Sequence, residues 1–129
     1  MHLGIKDTAL LFVLIALAAG TSVAGAEGTT TSPTDADGDG IANAADNCSL
    51  VANSNQRDTN SDGFGNLCDA DLDNNGFVNF SDLSLLKQRF TTSDPDANLD
   101  GIGIVNFADL AIFKSLFGRP PGPSAVDTP

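Results

Sequence analysis

The chain has 129 residues, a net charge of −11, and neither tryptophan nor tyrosine. Such an acidic chain is unsuited to nucleic acid, whose binding depends on lysine and arginine neutralising phosphates, and to an anionic membrane surface. Between residues 34 and 67 large apolar side chains are too few to offset the conformational entropy lost on folding by burial alone. The composition therefore predicts that cations help to hold this part of the chain together.

Residues 1–26 have the order of features of a secretory signal peptide. Lys6 supplies a positive charge, Ala9 to Ala19 form an apolar run, and small residues follow at Ala24-Gly25-Ala26. A bilayer-spanning helix needs roughly 20 apolar residues, so an uncleaved membrane anchor is the less favoured alternative. We expect secretion to the extracellular space, with the periplasm or cell surface as other destinations, and no membrane insertion of the mature chain. Residues 27–34 are predicted to be a linker.

The chain contains two cysteines, Cys48 and Cys68. Disulfides persist outside the cytosol, and this bridge would close a loop of about 20 residues and stabilise the fold by roughly 3 kcal/mol. A zinc site needs about four ligands, and the sole histidine, His2, lies in the predicted signal peptide. We expect a disulfide, with two free thiols as the alternative.

An acidic loop of 12 residues occurs four times: loop 1 (35–46), loop 2 (58–69), loop 3 (71–82) and loop 4 (98–109). An EF-type calcium loop has side-chain oxygens at positions 1, 3 and 5, glycine at 6, a carbonyl at 7, a polar residue at 9 and a carboxylate at 12. Glycine at position 6 permits the positive φ that the loop requires. The predicted calcium ligands are Asp35, Asp37, Asp39, Ile41, Asn43 and Asp46 in loop 1; Asp58, Asn60, Asp62, Phe64, Asn66 and Asp69 in loop 2; Asp71, Asp73, Asn75, Phe77, Asn79 and Asp82 in loop 3; and Asn98, Asp100, Ile104, Asn106 and Asp109 in loop 4.

Loop 4 departs from the pattern, because Ile102 at position 5 has no oxygen to offer. We therefore expect three calcium sites and a fourth that is weak or absent. An acidic flexible linker is the competing interpretation, and three full matches to the loop pattern disfavour it. We predict no enzyme: each clustered aspartate is already assigned to an ion, and the mature chain has neither a histidine nor a nucleophile elbow.

Residues 35–69 combine loops 1 and 2 with further residues that the ions alone do not require. Asp46-Asn47-Cys48 is followed by Asn53 and Gln56, and loop 2 closes with Gly65-Asn66-Leu67-Cys68-Asp69. This segment resembles a thrombospondin type 3 repeat, in which tandem aspartate loops surround calcium ions with little other core. The resemblance implies irregular calcium loops joined by a Cys48–Cys68 bridge.

The second half is an internal duplication, since residues 78–83 recur as 105–110, an offset of 27 residues. Val78 and Val105, at position 8, suit the short strand contact that pairs EF-type loops. Helical apolar spacing follows each loop, and we expect the first helical region to end at Asp94-Pro95. The predicted apolar stripes, interpreted as mutual core, are Leu83, Leu86 and Phe90, and then Leu110, Phe113 and Phe117.

A calcium loop followed by a helix, present twice, resembles a dockerin domain over residues 70–118. The resemblance implies that the helices bind a cohesin-like protein on a scaffold or cell surface, and it suggests a role near extracellular polysaccharide breakdown. The implied partner-binding residues are Phe80, Ser81, Lys87, Gln88, Phe107, Ala108, Lys114 and Ser115.

The predicted fold is therefore small and mainly α: irregular thrombospondin-like loops, then a pair of loop-helix units. The proline-rich tail, residues 119–129, is expected to be disordered. A calcium-dependent adhesion or stalk element with no cohesin partner is the alternative function.

Overall fold

The computed structural model describes residues 34–126, which belong to one compact unit, Pro33–Pro129. The predicted signal peptide, nearly all of the predicted linker and the last three residues lie outside the described part. Two α-helices are present, α1 (Phe80–Arg89) and α2 (Phe107–Leu116), with a short 3₁₀ turn at Asn43–Ala45. Over residues 34–126 the rest is loop and turn without a strand, and neither helix is long and apolar enough to cross a membrane.

Both helices begin with the same capping arrangement. Asn79 accepts a hydrogen bond from the Ser81 N–H (2.8 Å), and Asp82 accepts one from the Asn79 N–H (2.8 Å). Asn106 and Asp109 make the equivalent bonds at α2. Such a capping box satisfies N–H groups that have no partner in the first helical turn. The last loop residue and the start of the helix are therefore fixed together.

The two helices also end at equivalent positions, but α1 ends earlier than predicted. The helix ends at Arg89, and Thr91 then adopts a positive φ of 68°, as Gly118 does (79°) after α2. The prediction that the first helical region extends to Asp94-Pro95 was wrong, because the chain already turns at Thr91. Asp94 instead accepts the Ala97 N–H (2.9 Å) in the following turn.

The hydrophobic core lies between the two loop-helix units. Leu86 of α1 and Phe113 of α2 are buried at its centre, so the prediction that the apolar stripes form mutual core is confirmed. Phe117 departs from that pattern, since it remains partly exposed. The fully enclosed members of this core are Ala70, Val78, Leu86, Ala97, Leu99, Val105 and Phe113.

The two position-8 valines do not form the predicted strand contact with one another. Val78 donates to the Arg119 carbonyl (2.8 Å) and accepts the Gly118 N–H (2.9 Å). Val105 makes the matching pair of bonds with the segment just after α1, at 2.8 Å each. Each loop is therefore bonded to the end of the other unit's helix, in a pseudo-two-fold arrangement that follows the 27-residue duplication.

Aromatic contacts follow the same symmetry. Phe80 meets Phe117 edge-on with ring centroids 5.0 Å apart, and Phe107 meets Phe90 in the same way at 5.1 Å. Each pair joins the start of one helix to the end of the other. Such pairs stabilise by about 0.5–1.5 kcal/mol beyond the area they bury.

The first half contacts the second through Arg57. Its guanidinium donates to the carbonyls of Pro95 and Asn98, both at 2.7 Å. Asn66 also donates to the Pro95 carbonyl (3.1 Å). A charged donor shared between two carbonyls is a strong hydrogen-bonding arrangement. The two halves therefore pack as parts of one unit.

The segment after α2 is ordered where the structure describes it, which contradicts the prediction of a disordered tail. The Gly122 N–H donates to the Cys68 carbonyl (3.0 Å), and the Ala125 N–H donates to the Asp46 carbonyl (2.9 Å). These bonds return the end of the chain to loops 1 and 2. The proline-rich composition predicted disorder, because composition alone does not show that the tail has hydrogen-bond partners in distant parts of the chain.

Candidate metal centres

The four acidic loops share one backbone conformation. As predicted, glycine at position 6 has a positive φ in every loop, and so does the residue at position 4, which the sequence analysis did not single out. Position 4 is occupied by glycine, asparagine or serine, and the first two tolerate this conformation best. The φ values at positions 4 and 6 are Gly38 78° and Gly40 95°, Ser61 63° and Gly63 97°, Asn74 55° and Gly76 89°, and Gly101 72° and Gly103 69°.

The aspartate at position 1 closes loops 1, 2 and 3 in the same way. Its Oδ2 accepts the N–H of the position-6 glycine, at 3.0 Å from Asp35, 3.1 Å from Asp58 and 2.6 Å from Asp71. Loop 4 closes with the opposite polarity, because the amide of Asn98 donates to the Gly103 carbonyl (3.1 Å). All four loops thus curl around their first residue.

Two of the loops bring three carboxylates together. One group is Asp35, Asp37 and Asp39 of loop 1, and the other is Asp71, Asp73 and Asp82 of loop 3; within each, carboxylate oxygens lie within 4.8 Å of one another. Among residues 34–126 these are the groups of three acidic side chains with metal-ligand spacing. Carboxylate oxygens are the ligands that Ca²⁺ prefers.

Loops 2 and 4 do not bring three carboxylates within this distance; asparagine occupies positions 3 and 9 of loop 2 and positions 1 and 9 of loop 4. In loop 2 the Asn60 amide donates to the Asp62 carboxylate (2.8 Å). In loop 4 the side chain of Ile102 is 72% exposed, so position 5 supplies no oxygen to the loop interior. The expected weakness of loop 4 therefore has a structural basis.

Three buried oxygen atoms lack a hydrogen-bond partner among the described residues: Oδ2 of Asp37, Oδ2 of Asp46 and Oδ1 of Asn98. All three are predicted calcium ligands, at positions 3 and 12 of loop 1 and position 1 of loop 4. A buried acceptor without a partner costs about 1–3 kcal/mol, and more when it is charged. A calcium ion would satisfy these oxygens, so the donor set fits the ion.

The position-9 asparagines separate the loops into two pairs. In loops 1 and 2, Asn43 and Asn66 accept the N–H of position 2, at 2.8 and 3.0 Å, so their side chains fold back onto the loop. In loops 3 and 4, Asn79 and Asn106 instead cap the helix and donate to the position-7 carbonyl, both at 2.8 Å. The same residue at the same spacing thus completes an irregular loop in one pair and starts a helix in the other.

The junction of loops 2 and 3 concentrates negative charge. Burial, together with the neighbouring carboxylates of Asp62 and Asp71, raises the pKa of Asp69 to about 8. Burial also raises the pKa of Asp71, the first residue of loop 3, and that of Asp37 in loop 1. A cation nearby would favour the charged form of these groups. Loops 2 and 3 adjoin at this point, where the Asp71 N–H donates to the Asp69 carboxylate (2.8 Å).

A buried amide network supports the carboxylates of loop 1. The Asn53 N–H donates to Asp39 (2.7 Å), and the Gln56 amide donates to Asp46 (2.7 Å). Asn47 joins both, since its N–H donates to Gln56 (2.9 Å) and its side chain accepts from Asn53 (2.7 Å). Asn53 and Gln56 belong to the thrombospondin-like pattern in the sequence, but that pattern did not predict their orienting role.

The predicted disulfide is present. Cys48 and Cys68 are bonded and fully buried, with their Cα atoms 5.7 Å apart. The bridge lies beside Gly65. It joins Cys48, two residues after loop 1, to Cys68, the last residue but one of loop 2. Both cysteines of the chain are therefore accounted for, and the alternative of two free thiols is excluded.

A family model for the thrombospondin type 3 repeat matches residues 33–56 and 57–83. The second match continues through loop 3 to residue 83, beyond the boundary at residue 69 that the sequence analysis placed between the halves. No curated protein and no solved structure matches the chain. Residues 33–83 are thus similar to two thrombospondin type 3 repeats, which are calcium-binding modules typical of extracellular proteins.

Proposed function

We propose that this chain is a secreted interaction module whose four loops bind Ca²⁺ and whose two helices dock another protein. The unpartnered buried oxygens of Asp37, Asp46 and Asn98 carry the calcium part of the proposal, because each stands at a ligand position of a loop. Calcium outside cells is abundant, so affinities of about 10⁻⁴–10⁻³ M suffice for an extracellular module.

Calcium also has a structural role in this proposal. The hydrophobic core is formed by residues 70–113 and the apolar side chains packed against them, whereas loops 1 and 2 are held by hydrogen bonds and the disulfide. Ions would supply the stability that an apolar core supplies elsewhere.

Calorimetric titration of residues 27–129 with Ca²⁺ tests this role. We expect three sites, with a weaker fourth in loop 4. Asp46→Asn should remove one site. Asp96→Asn, at a half-buried aspartate outside the loops, should remove none, because an amide oxygen can still accept the hydrogen bond from the Thr59 hydroxyl. A wild-type chain that takes up no calcium would refute the proposal.

The helix surface supports the docking part of the proposal. All eight predicted partner-binding residues are exposed, and Phe80 and Phe107 are 75% and 76% exposed at equivalent positions. Within the helices the carboxylates, Asp82 and Asp109, are buried, so this surface offers Lys87 and Lys114 without competing negative charge. In a chain of net charge −11 this local charge favours a partner with acidic groups around an apolar patch.

A dockerin-type role accounts for this arrangement. The pseudo-two-fold pairing of the loop-helix units and the matching exposed residues are the features that support it. A cohesin-like domain on a scaffold or cell-surface protein would be the partner, and polysaccharide breakdown outside the cell would be the setting. No catalytic role is proposed for the chain, since its clustered aspartates are assigned to ions.

Capture of the chain by immobilised cohesin domains tests this role. The double variant Lys87→Ala/Lys114→Ala should bind at least about tenfold more weakly, which corresponds to about 0.7 kcal/mol for each lysine. Arg119→Ala is the matched control, since the Arg119 contact described above uses its carbonyl and survives the change. Equal capture of the double variant and wild type would contradict docking through this surface.

A second candidate is an adhesion or stalk element with no cohesin partner. The specific observation in its favour is that the family match covers residues 33–83 and no more of the chain. The helices would then serve to complete the compact unit. Retention of calcium binding with no capture by any cohesin would favour this candidate over docking.

A further inference from the structure

We propose that residues 122–125, here called the C-terminal strap, set the calcium affinity of loops 1 and 2. The inference rests on calcium being the ligand of these loops, as proposed above. It adds that the last described residues of the chain control the first two sites. Nothing in the acidic loop pattern itself points to this segment.

Apart from the bond that Ser124 accepts from the adjacent Val126, the hydrogen bonds from the strap to the rest of the described chain fall on or beside loops 1 and 2. The Ala125 N–H donates to the carbonyl of Asp46, position 12 of loop 1 (2.9 Å). The Ser124 hydroxyl donates to the carbonyl of Gly63, position 6 of loop 2 (2.6 Å).

Two further bonds hold the strap against the disulfide. The Gly122 N–H donates to the Cys68 carbonyl (3.0 Å), next to position 12 of loop 2, and the Pro123 carbonyl accepts the Ser49 N–H (2.9 Å). The strap therefore joins the turning point of one loop to the last ligand residue of the other.

The approach of the strap requires glycine at position 122. Gly122 has a φ of +88°, and a Cβ there would lie 2.7 Å from the ring of Phe64. The carbonyl of Phe64 is the position-7 ligand of loop 2. The contact thus places the strap directly against a residue of the proposed site.

A physical reason for a role in affinity follows from how these loops are held. When a ligand binds only one conformation, its apparent affinity falls in proportion to the fraction of molecules that adopt that conformation. Loops 1 and 2 lie outside the main hydrophobic core, so the strap adds to the hydrogen bonds and the disulfide that keep the ion-free loops curled. Loops 3 and 4 are fixed instead by the helices that they cap.

The test is calcium titration of the full chain followed by NMR, with the position-6 glycine amides as site reporters. Gly40 and Gly63 report loops 1 and 2, whereas Gly76 and Gly103 report loops 3 and 4. Ala125→Pro removes the N–H that bonds to Asp46, and Ala125→Ser keeps it as the matched control. We expect Ala125→Pro to weaken binding at Gly40 and Gly63 by about 3–10-fold, the loss of roughly one hydrogen bond, and to leave the other two within about twofold.

Ser124→Ala provides a second, milder variant if the proline substitution unfolds the chain. It removes the hydroxyl bonded to the Gly63 carbonyl, so about threefold weaker binding at Gly63 is expected. Unchanged affinity at Gly40 and Gly63, or an equal loss at all four glycines, overturns the role of the strap. If no loop of the unmodified chain takes up calcium, the proposed function fails, and this inference fails with it.

Discussion

Gly65 lies at the most crowded point of the first half, and its replacement by alanine gives a sharp test of the packing. A Cβ on Gly65 would lie 2.5 Å from both Asn47 Oδ1 and Asn53 Nδ2 and 2.7 Å from Cys48 Sγ. Non-bonded atoms normally stay about 3.5–4.0 Å apart, so each contact is about 1 Å too short. The sulfur is fixed by its disulfide, which leaves the two amides to move.

The expected cost of Gly65→Ala is about 2–4 kcal/mol. Overpacking a well-filled interior costs about 1–3 kcal/mol. Displacing the two amides also breaks the 2.7 Å hydrogen bond between Asn53 and Asn47, which adds about 1 kcal/mol. Backbone strain adds nothing, because Gly65 is not in the left-handed region.

Thermal unfolding in saturating calcium measures this effect. For a domain of this size, about 2–4 kcal/mol corresponds to a melting temperature lower by about 10–25 °C. Gly38→Asn is the control: its Cβ would meet nothing within 4 Å, and asparagine already occupies the equivalent position 74 of loop 3, so the change should stay below about 0.5 kcal/mol. A Gly65→Ala chain that melts with the wild type would refute the packing described for the disulfide and its amides.

Four further variants test the helix caps, the end of α1 and the disulfide bridge. Asn79→Ala and Asn106→Ala should each cost about 1 kcal/mol in urea unfolding, because both asparagines make the same capping bonds; a cost at only one would contradict the two-fold equivalence. Thr91→Gly should stabilise the chain by about 0.5–1 kcal/mol, because threonine holds a positive φ there; a loss of stability would contradict backbone strain at this residue. The double change Cys48→Ser/Cys68→Ser should lower the unfolding free energy by about 3 kcal/mol. An unchanged value would show that the bridge does not stabilise the fold.

Local features of the fold were predictable because they depend on residues close together in sequence. The position-6 glycines, the helices after loops 3 and 4 and the Leu86 and Phe113 core follow from spacing and from the duplication. The end of α1 was less predictable, because Thr91 adopts a conformation that threonine rarely favours.

Contacts between distant residues were not predictable from the same signals. Arg57 reaches carbonyls near residue 98, and the strap reaches loops 1 and 2 from the other end of the described chain. In each case the partner is a backbone carbonyl or N–H group, so no residue type marks it in the sequence. The position-8 valines were assigned to the wrong partner for the same reason.

The proposed metal ligands show the same division. Loop spacing identified the carboxylates, and the structure gathers two groups of three, in loops 1 and 3. The supporting amides of Asn47, Asn53 and Gln56 lie between the loops, where spacing alone gives no orientation. Their role depends on the positions of the carboxylates to which they donate hydrogen bonds, and loop spacing does not give those positions.

The central claim is that calcium binding supplies stability that the small core lacks. The most direct measurement is the melting temperature of residues 27–129, followed by circular dichroism, in millimolar calcium and again in excess EGTA. Millimolar calcium is about ten times the Kd of a site with an affinity of about 10⁻⁴ M, so each such site stabilises by about 1.4 kcal/mol and three sites supply about 4 kcal/mol. We expect a melting temperature about 15–30 °C higher with calcium. Identical spectra and melting temperatures in the two conditions would contradict it.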